Sequence, residues 1–436
     1  MQSDTESETQ SVYDDNECDD NSHISLMVEV EDIVNEAIEE YMELNILEMS
    51  KIDFYETMLE EIVSNVLELV DPDAFNRDDI TRCVDDILAH YWEIMEDIYP
   101  QRSEGSVADK HSRQYKEITG DKLALLASTE YNQGTEEWYT VRNSVLTASS
   151  IWKVFASQAQ VNSLIYEKCK CEVHPVSQTR PFIVSNPMQH GHKYEPVSIL
   201  LYEYLFHTRI QGYGCIIHPK YSFIGASPDG INVDPESSRY GRMVEIKNIV
   251  NRDITGIPKE EYWIQMQIQM EVCDLDTCDF IETRFQEYLS EDECYSDTES
   301  RDYRGLILYF LRNTEEGIQE EKYSYLPFTM QPTVYNRVQV DKWIQDTKRE
   351  YLMEGYHLYG QQYWYLDEFS CLLVRRNRQW FEAAIPKIEE VWRTIQEERL
   401  TGYSHRAPQR KTVASTPNLD WFVVTKLDSE EPETNT

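Results

Sequence analysis

The feature that most constrains this chain is the stretch 222–247, SFIGASPDGINVDPESSRYGRMVEIK, which sets Asp229, Glu245 and Lys247 on what reads as two short strands. The run Phe223–Ser227 is apolar and small, breaks at Pro228-Asp229-Gly230 and resumes as Ile231-Asn232-Val233. Residues 234–238 are turn-rich, and Met243–Lys247 reads as the second strand. Alternation along a strand turns Glu245 and Lys247 to one face and Val244 and Ile246 to the other. Charges flanked by apolar residues in a strand need a reason, because burying unpaired charge is costly. Two readings stand. One is a Glu–Lys pair on a solvated face. The other is a metal site, in which Asp229 and Glu245 hold a hard cation such as Mg²⁺ while Lys247 orients or helps activate a water and steadies charge at a phosphate.

Charge narrows the partners. With 40 basic against 80 acidic residues, net −40, the chain is no general basic nucleic-acid binder. Any phosphate contact must be local, through a few Arg or Lys, a metal or helix N-termini. Its 436 residues leave room for one large core plus appendages. Nine scattered Cys and no legible signal peptide fit free thiols in a reducing, intracellular compartment. No apolar run approaches the roughly 20 residues that span a bilayer, so no membrane partner is expected.

In chain order, residues 1–23 read as a disordered acidic tail and 24–98 as a helical acidic domain. Ile33, Val34, Ala37, Ile38, Tyr41 and Met42 fall at helical spacing, as do Met58, Ile62 and Val66, then Ile80, Val84, Ile87 and Leu88. Roughly thirty carboxylates against about five basic residues in the first 110 make this either a solvated bundle or a partner-binding or nucleic-acid-mimicking module. Residues 99–117 read as a linker into a catalytic domain at 118–400. There, Trp138 and Arg142 share a helix face, and Thr147 or Ser149 caps the next helix. Cys169, Cys171 and His174 lack the further ligand that zinc requires. Glu195 opens an apolar helix. Residues 261–273 suit a helix in which Gln265, Gln267 and Gln269 need polar partners. Residues 278–285 and 304–311 read as strands extending the central sheet, separated by a disordered acidic insertion at 290–303. Arg375, Arg376 and Arg378 form either a solvated turn or a duplex-backbone contact. Residues 401–436 read as a flexible tail, with a basic patch at Arg406–Lys411 and an apolar Trp421–Val424.

Four blocks taken together resemble a known family: Trp138–Arg142 running into Leu146–Ser149, then Gly191–Glu195, then Ser227–Gly230 with Glu245–Lys247, then Tyr262–Gln267. In this order they are similar to the lambda-type, YqaJ-like viral exonuclease and recombinase family of the restriction-endonuclease-like nucleases, over roughly 125–312. The resemblance implies an α/β fold, a mixed central sheet flanked by helices, here with an N-terminal helical appendage. It implies a Mg²⁺-dependent exonuclease, with Mn²⁺ substituting, that digests one strand of duplex DNA from the 5′ end. The resulting 3′ overhang passes to a strand-annealing protein, and the enzyme is a ring-shaped trimer. By the same resemblance Asp229, Glu245 and Glu195 hold metal, Lys247 and Gln267 serve the water nucleophile, and Arg142, Ser149 and Ser227 hold the 5′-terminal phosphate. The segment around Trp380 and Phe381 resembles proteins of giant DNA viruses, which implies a viral source and a host cytoplasm or nucleus. Two other readings remain: an endonuclease or RNA-cleaving relative with the same core, and an inert acidic scaffold acting through 24–98 and the tail.

Overall fold

The computed structural model describes residues 16–70, 75–131, 135–170, 187–299, 301–314 and 319–408. The chain opens with three helices, α1 (Asn16–Asn45), α2 (Phe54–Leu69) and α3 (Arg77–Ile94). Each buries one stripe: Val30, Val34 and Ile38 on α1, Met58, Ile62 and Val66 on α2, Ile80, Val84 and Leu88 on α3. Asn76 fixes the start of α3 by accepting from the Asp79 N–H at 3.0 Å. The amphipathic helices expected at 24–98 are present. The first begins at Asn16, inside the segment expected to be a tail, whose residues 1–15 lie outside the described ones.

This bundle is not hung on a linker. A 3₁₀ turn, Ile46–Ser50, packs against the main core: Leu47 O accepts from Trp380 Nε1 (3.2 Å), and Ser50 Oγ donates to Glu260 (3.1 Å). Arg102 Nε donates to Ser50 O, and Arg102 O accepts from Trp263 Nε1, at 3.1 and 3.0 Å. The segment 99–117 contributes a strand, β1 (Glu104–Gly105), paired antiparallel with Leu372 and Leu373. Backbone and side-chain hydrogen bonds to the core thus override the polar, Pro- and Gly-containing composition that suggested a linker.

Next come α4 (Arg113–Thr129), α5 (Glu136–Ser144), β2 (Leu146–Thr147), α6 (Ala148–Ile151), α7 (Gln158–Cys169) and α8 (Pro187–Phe206). The carboxylate-bearing stretch follows β3 (Ile210–Gln211) and β4 (Ile216–Ile217) as β5 (Ile224–Ala226), β6 (Gly230–Asn232) and β7 (Met243–Asn248). Then come α9 (Glu260–Cys273), β8 (Thr277–Glu287), α10 (Glu291–Ser296), β9 (Arg304–Asn313), β10 (Gln319–Tyr325), α11 (Arg337–Met353), β11 (His357–Arg375) and α12 (Arg378–Thr401). One sheet of eight strands runs β10-β9-β11-β8-β7-β6-β3, with β1 added to β11. In it β7 and β8 are parallel, while β6 and β7 are antiparallel. A smaller sheet runs β2-β5-β4. The architecture is mixed α/β, a central sheet flanked by helices with the helical bundle at the N-terminus.

Two details differ from expectation. The stretch 222–247 divides between the sheets, because β5 pairs with β2 and β4 while β6 and β7 enter the large sheet. And β8 adjoins β7 as expected, but β11 separates β9 from β8. The acidic insertion is ordered over α10, since Ser290 accepts from Glu293 N (3.2 Å) and Cys294 and Tyr295 are buried. Beyond α12, Arg406 pairs with Glu398 (2.6 Å), so the expected tail is tied down there. Residues 409–436, with Trp421–Val424 and most of the basic patch, lie outside the described ones, as do Cys171 and His174. Arg375, Arg376 and Arg378 are neither a plain solvated turn nor a free phosphate-binding face: they pair with Glu104 (2.5 Å), Glu271 (2.5 Å) and Asp276 (2.7 Å). Among the described residues no helix is long and apolar enough to cross a membrane.

Candidate active site

The central position of β7 decides the site. The strand lies between β6 and β8, and its residues Met243–Ile246 are buried on both faces of the sheet, with Lys247 partly so. Val244 and Ile246 pack under α8 with Tyr202 and Ile281. Glu245 and Lys247 point the other way, towards α9. Asp229 enters from the turn before β6. Gly230 lets that turn run close: a Cβ there would lie 2.2 Å from the Ile210 side chain.

The carboxylate of Asp229 accepts from the Ile246 N–H at 2.7 Å, which locks it to β7. Glu245 is fully buried. Its Oε1 accepts from Lys247 and, at 2.8 Å, from Gln265 Nε2, while its Oε2 accepts from Gln269 Nε2 at 2.9 Å. The Lys247 ammonium also lies 4.7 Å from the centre of the Tyr262 ring. Burial alone would lower the Lys247 pKa, but Glu245 and then Asp229 outweigh it and hold the ammonium above the ordinary lysine value. Burial, and then the charge of Glu245, pushes the Asp229 carboxyl well above the usual range, and Lys247 offsets only part of this. Glu195, near the start of α8, is raised first by burial, then eased by His192 and raised again by Glu245.

Asp229 and Glu245 are therefore two carboxylates with a single lysine between them, and Glu195 adds a third negative charge nearby. A hard, oxygen-seeking divalent cation fits this donor set and this surplus of negative charge, with waters completing its shell. Among the described residues no three His, Cys, Asp or Glu side chains form a ready metal cage.

Gln267 is not where the resemblance implied. Fully buried, it donates to Arg375 O (2.9 Å) and accepts from Asn377 N (2.7 Å), tying α9 to the β11–α12 junction. Gln265 and Gln269, four residues apart on one helix face, are the glutamines at Glu245. Gln269 was missed, although its i, i+4 spacing from Gln265 was in view. Also missed was the pair beside Lys247 on the β8 side, where buried Glu282 binds Arg252.

Of the expected phosphate residues, Arg142 and Ser227 share Cys215 as a neighbour, and no contact brings Ser149 to either among the described residues. The Arg142 guanidinium lies over the Trp138 ring at 4.8 Å. Exposed Ser149 has its Oγ 3.4 Å from Thr147 Oγ1, and Thr147 stands at the helix start without a capping bond. Ser227 shares a hydrogen bond with the Cys215 thiol, which burial raises and which Arg142 and Lys168 lower. Ser227 is two residues before Asp229, so a short piece of chain joins this cationic corner to the carboxylates. Lys168 gave no signal in the sequence, because only the fold brings α7 here.

Fold and site define an α/β domain that presents a buried acid–acid–lysine group from the centre of its sheet. Residues 137–276 match the YqaJ-like viral recombinase domain. An uncharacterized protein of Acanthamoeba polyphaga mimivirus is 28% identical over 291 residues, 60% of this chain and 52% of that protein. The chain thus spans about half the length of the curated relative it matches. Among solved structures, an alkaline exonuclease from Laribacter hongkongensis aligns with a TM-score of 0.36 at 19% identity, covering 61% of this chain and 94% of that one. A phage-related exonuclease from Haemophilus somnus aligns with a TM-score of 0.30 at 15% identity, covering 58% and 93%.

Proposed function

We propose that this chain is a Mg²⁺-dependent deoxyribonuclease that digests duplex DNA ends 5′ to 3′, leaving 3′ overhangs for recombination or genome processing. The observation that carries the reading is Asp229, from the turn before β6, held against β7 beside Glu245 and Lys247, inside the matched region. The family supports DNA as substrate, and Ser227 and Arg142, which both act on Cys215, support recognition of a 5′ end. The mimivirus relative supports a viral setting in host cytoplasm or nucleus. A ring-shaped trimer and a strand-annealing partner accompany the reading as properties of the family.

Asp229 and Glu245 would hold Mg²⁺, or Mn²⁺ in its place, with Glu195 assisting; when bound, the ion supplies Lewis acidity and a more acidic water. The chain's own groups do the rest. Lys247, kept as an ammonium by its carboxylate neighbours, cannot take a proton, so it orients the water and stabilises charge on the phosphate oxygens. Gln265 and Gln269 fix both oxygens of Glu245, and Tyr262 packs on Lys247, so these groups hold their positions before substrate arrives. Water attacks phosphorus, the bond to the 3′ oxygen breaks, the proton lost by the water passes by way of solvent to that oxygen to give a 3′ hydroxyl, and the product strand keeps a 5′ phosphate. The test is the full chain on 5′-phosphorylated linear duplex with Mg²⁺, Mn²⁺ or chelator, beside circular duplex and RNA. Linear duplex is expected to be digested with either metal and spared on chelation, and Lys247→Ala to be slower by roughly 10²-fold or more. Equal digestion by Lys247→Ala would overturn the assigned site, and cleavage of circles or RNA would favour an endonuclease or an RNA-cleaving enzyme.

A further inference from the structure

Glu282 is the least explained charge on the face that carries the site. It lies on β8, in register with Lys247 on the parallel strand β7, so both side chains leave the sheet on the α9 face. Its carboxylate is buried, and one oxygen is used: Oε1 accepts from Arg252, while Oε2 has no partner among the described residues. A buried carboxylate oxygen left without a donor is costly, and each such atom calls for a cause. Lys247 stands one strand away, a spacing of about 4.8 Å, yet its ammonium goes to Glu245. The Tyr262 ring spans the space between the two acids. Its centre lies 4.7 Å from the Lys247 ammonium and 5.9 Å from the Arg252 guanidinium. The same ring stacks at 5.8 Å on Phe280, the β8 partner of Glu245.

The Glu245 carboxylate is crowded by comparison. Its Oε1 accepts from Lys247 and Gln265, and its Oε2 from Gln269. A carboxylate offers about four lone-pair sites, so most are taken before any cation arrives. A divalent cation on Glu245 would repel the ammonium and compete for the oxygen that holds it. Asp229 offers no refuge, because it would face the same cation and already accepts from Ile246 N. We propose that Glu282 is a positioning residue, the second anchor of Lys247, whose free oxygen receives the ammonium when a divalent cation occupies Glu245. The inference rests on the nuclease reading above. In that arrangement Lys247 and Arg252 share one carboxylate, which leaves a net positive charge beside the cation site for a phosphate to meet. Without Glu282, Lys247 would stay on Glu245 and oppose the cation there.

The experiment titrates the full chain with Mn²⁺ in the absence of DNA, by isothermal calorimetry, for wild type, Glu282→Gln, Arg252→Gln and Lys247→Met. Glu282→Gln is expected to weaken Mn²⁺ binding roughly tenfold, as for one charge-assisted hydrogen bond. The same replacement made in Lys247→Met should change the affinity by less than about twofold, because no ammonium is left to move. This separates the second anchor from simple attraction between Glu282 and the cation, which would survive the loss of Lys247. Arg252→Gln should bind Mn²⁺ as tightly as wild type or more tightly, since both oxygens of Glu282 are then free. The double replacement Glu282→Gln with Arg252→Gln leaves no buried charge unpaired and carries the test if Glu282→Gln alone folds poorly. Equal weakening by Glu282→Gln with and without Lys247 would overturn the proposal. So would equal weakening by Arg252→Gln, or wild-type affinity in Glu282→Gln. Digestion of 5′-phosphorylated duplex by the same proteins keeps the two readings apart. Coupling of Glu282 to Lys247 in a protein that digests nothing would sink the nuclease reading alone; active protein without that coupling would sink the second anchor alone.

Discussion

Strands β7 and β8 bury charge on both faces, and the two faces differ in how that charge is settled. Under α8, Asp279 accepts from Tyr202 Oη (2.6 Å), Ser106 Oγ (2.7 Å), Arg242 Nη1 (3.0 Å) and Arg239. Arg242 reaches on to Asp109 and to Val107 O at 2.9 Å. Two arginines face two aspartates there, and the network closes on itself. Under α9, Asp229 and Glu245 face one lysine, and Glu195 adds to the excess. A balanced buried network is what a fold needs to hold a strand in place. A buried imbalance serves stability poorly and persists where something else completes it, and a divalent cation is the completion that fits.

Five substitutions probe this contrast. The largest effect is expected from Asp229→Asn or Glu245→Gln. Each should cut cleavage about a thousandfold, in line with several kcal/mol of metal-derived stabilisation. Without metal, the melting midpoint of Asp229→Asn should hold or rise because repulsion is relieved, whereas Glu245→Gln should lower it, since Lys247, Gln265 and Gln269 lose a carboxylate acceptor. If Asp229→Asn unfolds instead, that aspartate is structural too and the contrast fails. Asp279→Ala should do the reverse. Leaving two arginines buried without their counter-ion should remove about 3–5 kcal/mol from urea unfolding, with the specific activity of folded protein within a few-fold of wild type. The smallest effects separate neighbours on α9. Gln267→Ala should cost about 1–3 kcal/mol of stability, because Asn377 N and Arg375 O lose their partner, with kcat unchanged. Gln265→Ala should spare stability and slow cleavage; an equal stability loss in both would mean that the helix faces are not divided as described.

The sequence revealed most where chemistry and secondary structure coincide within a few residues. Asp229, Glu245 and Lys247 sit in one stretch, and strand alternation alone turned Glu245 and Lys247 together. Spacing likewise showed the three N-terminal helices and α9. It misled where contacts from distant residues outweigh local composition. Residues 290–303 are acidic and Ser-rich, yet Cys294 and Tyr295 find a buried seat against Tyr363. Gln267 was placed by its motif, although helix geometry sets it opposite Gln265 and Gln269. Lys168 could not be read at all, since its neighbours Arg142 and Arg399 lie 26 and 231 residues away.

The weave of residues 99–117 into the main body has a consequence for how such a protein can be cut or inherited. Its strand β1, the Asp109 counter-ion of Arg242 and the Ser106 contact to Asp279 all lie upstream of the family's matched region. A gene fragment beginning at residue 118 would encode a body short of one sheet-edge strand, with Trp263 and Trp380 stripped of carbonyl partners and Arg242 left with Asp279 but without Asp109. The matched region and the segment ahead of it thus share one packed body, and an exchange that replaced either would have to preserve the contacts of the other.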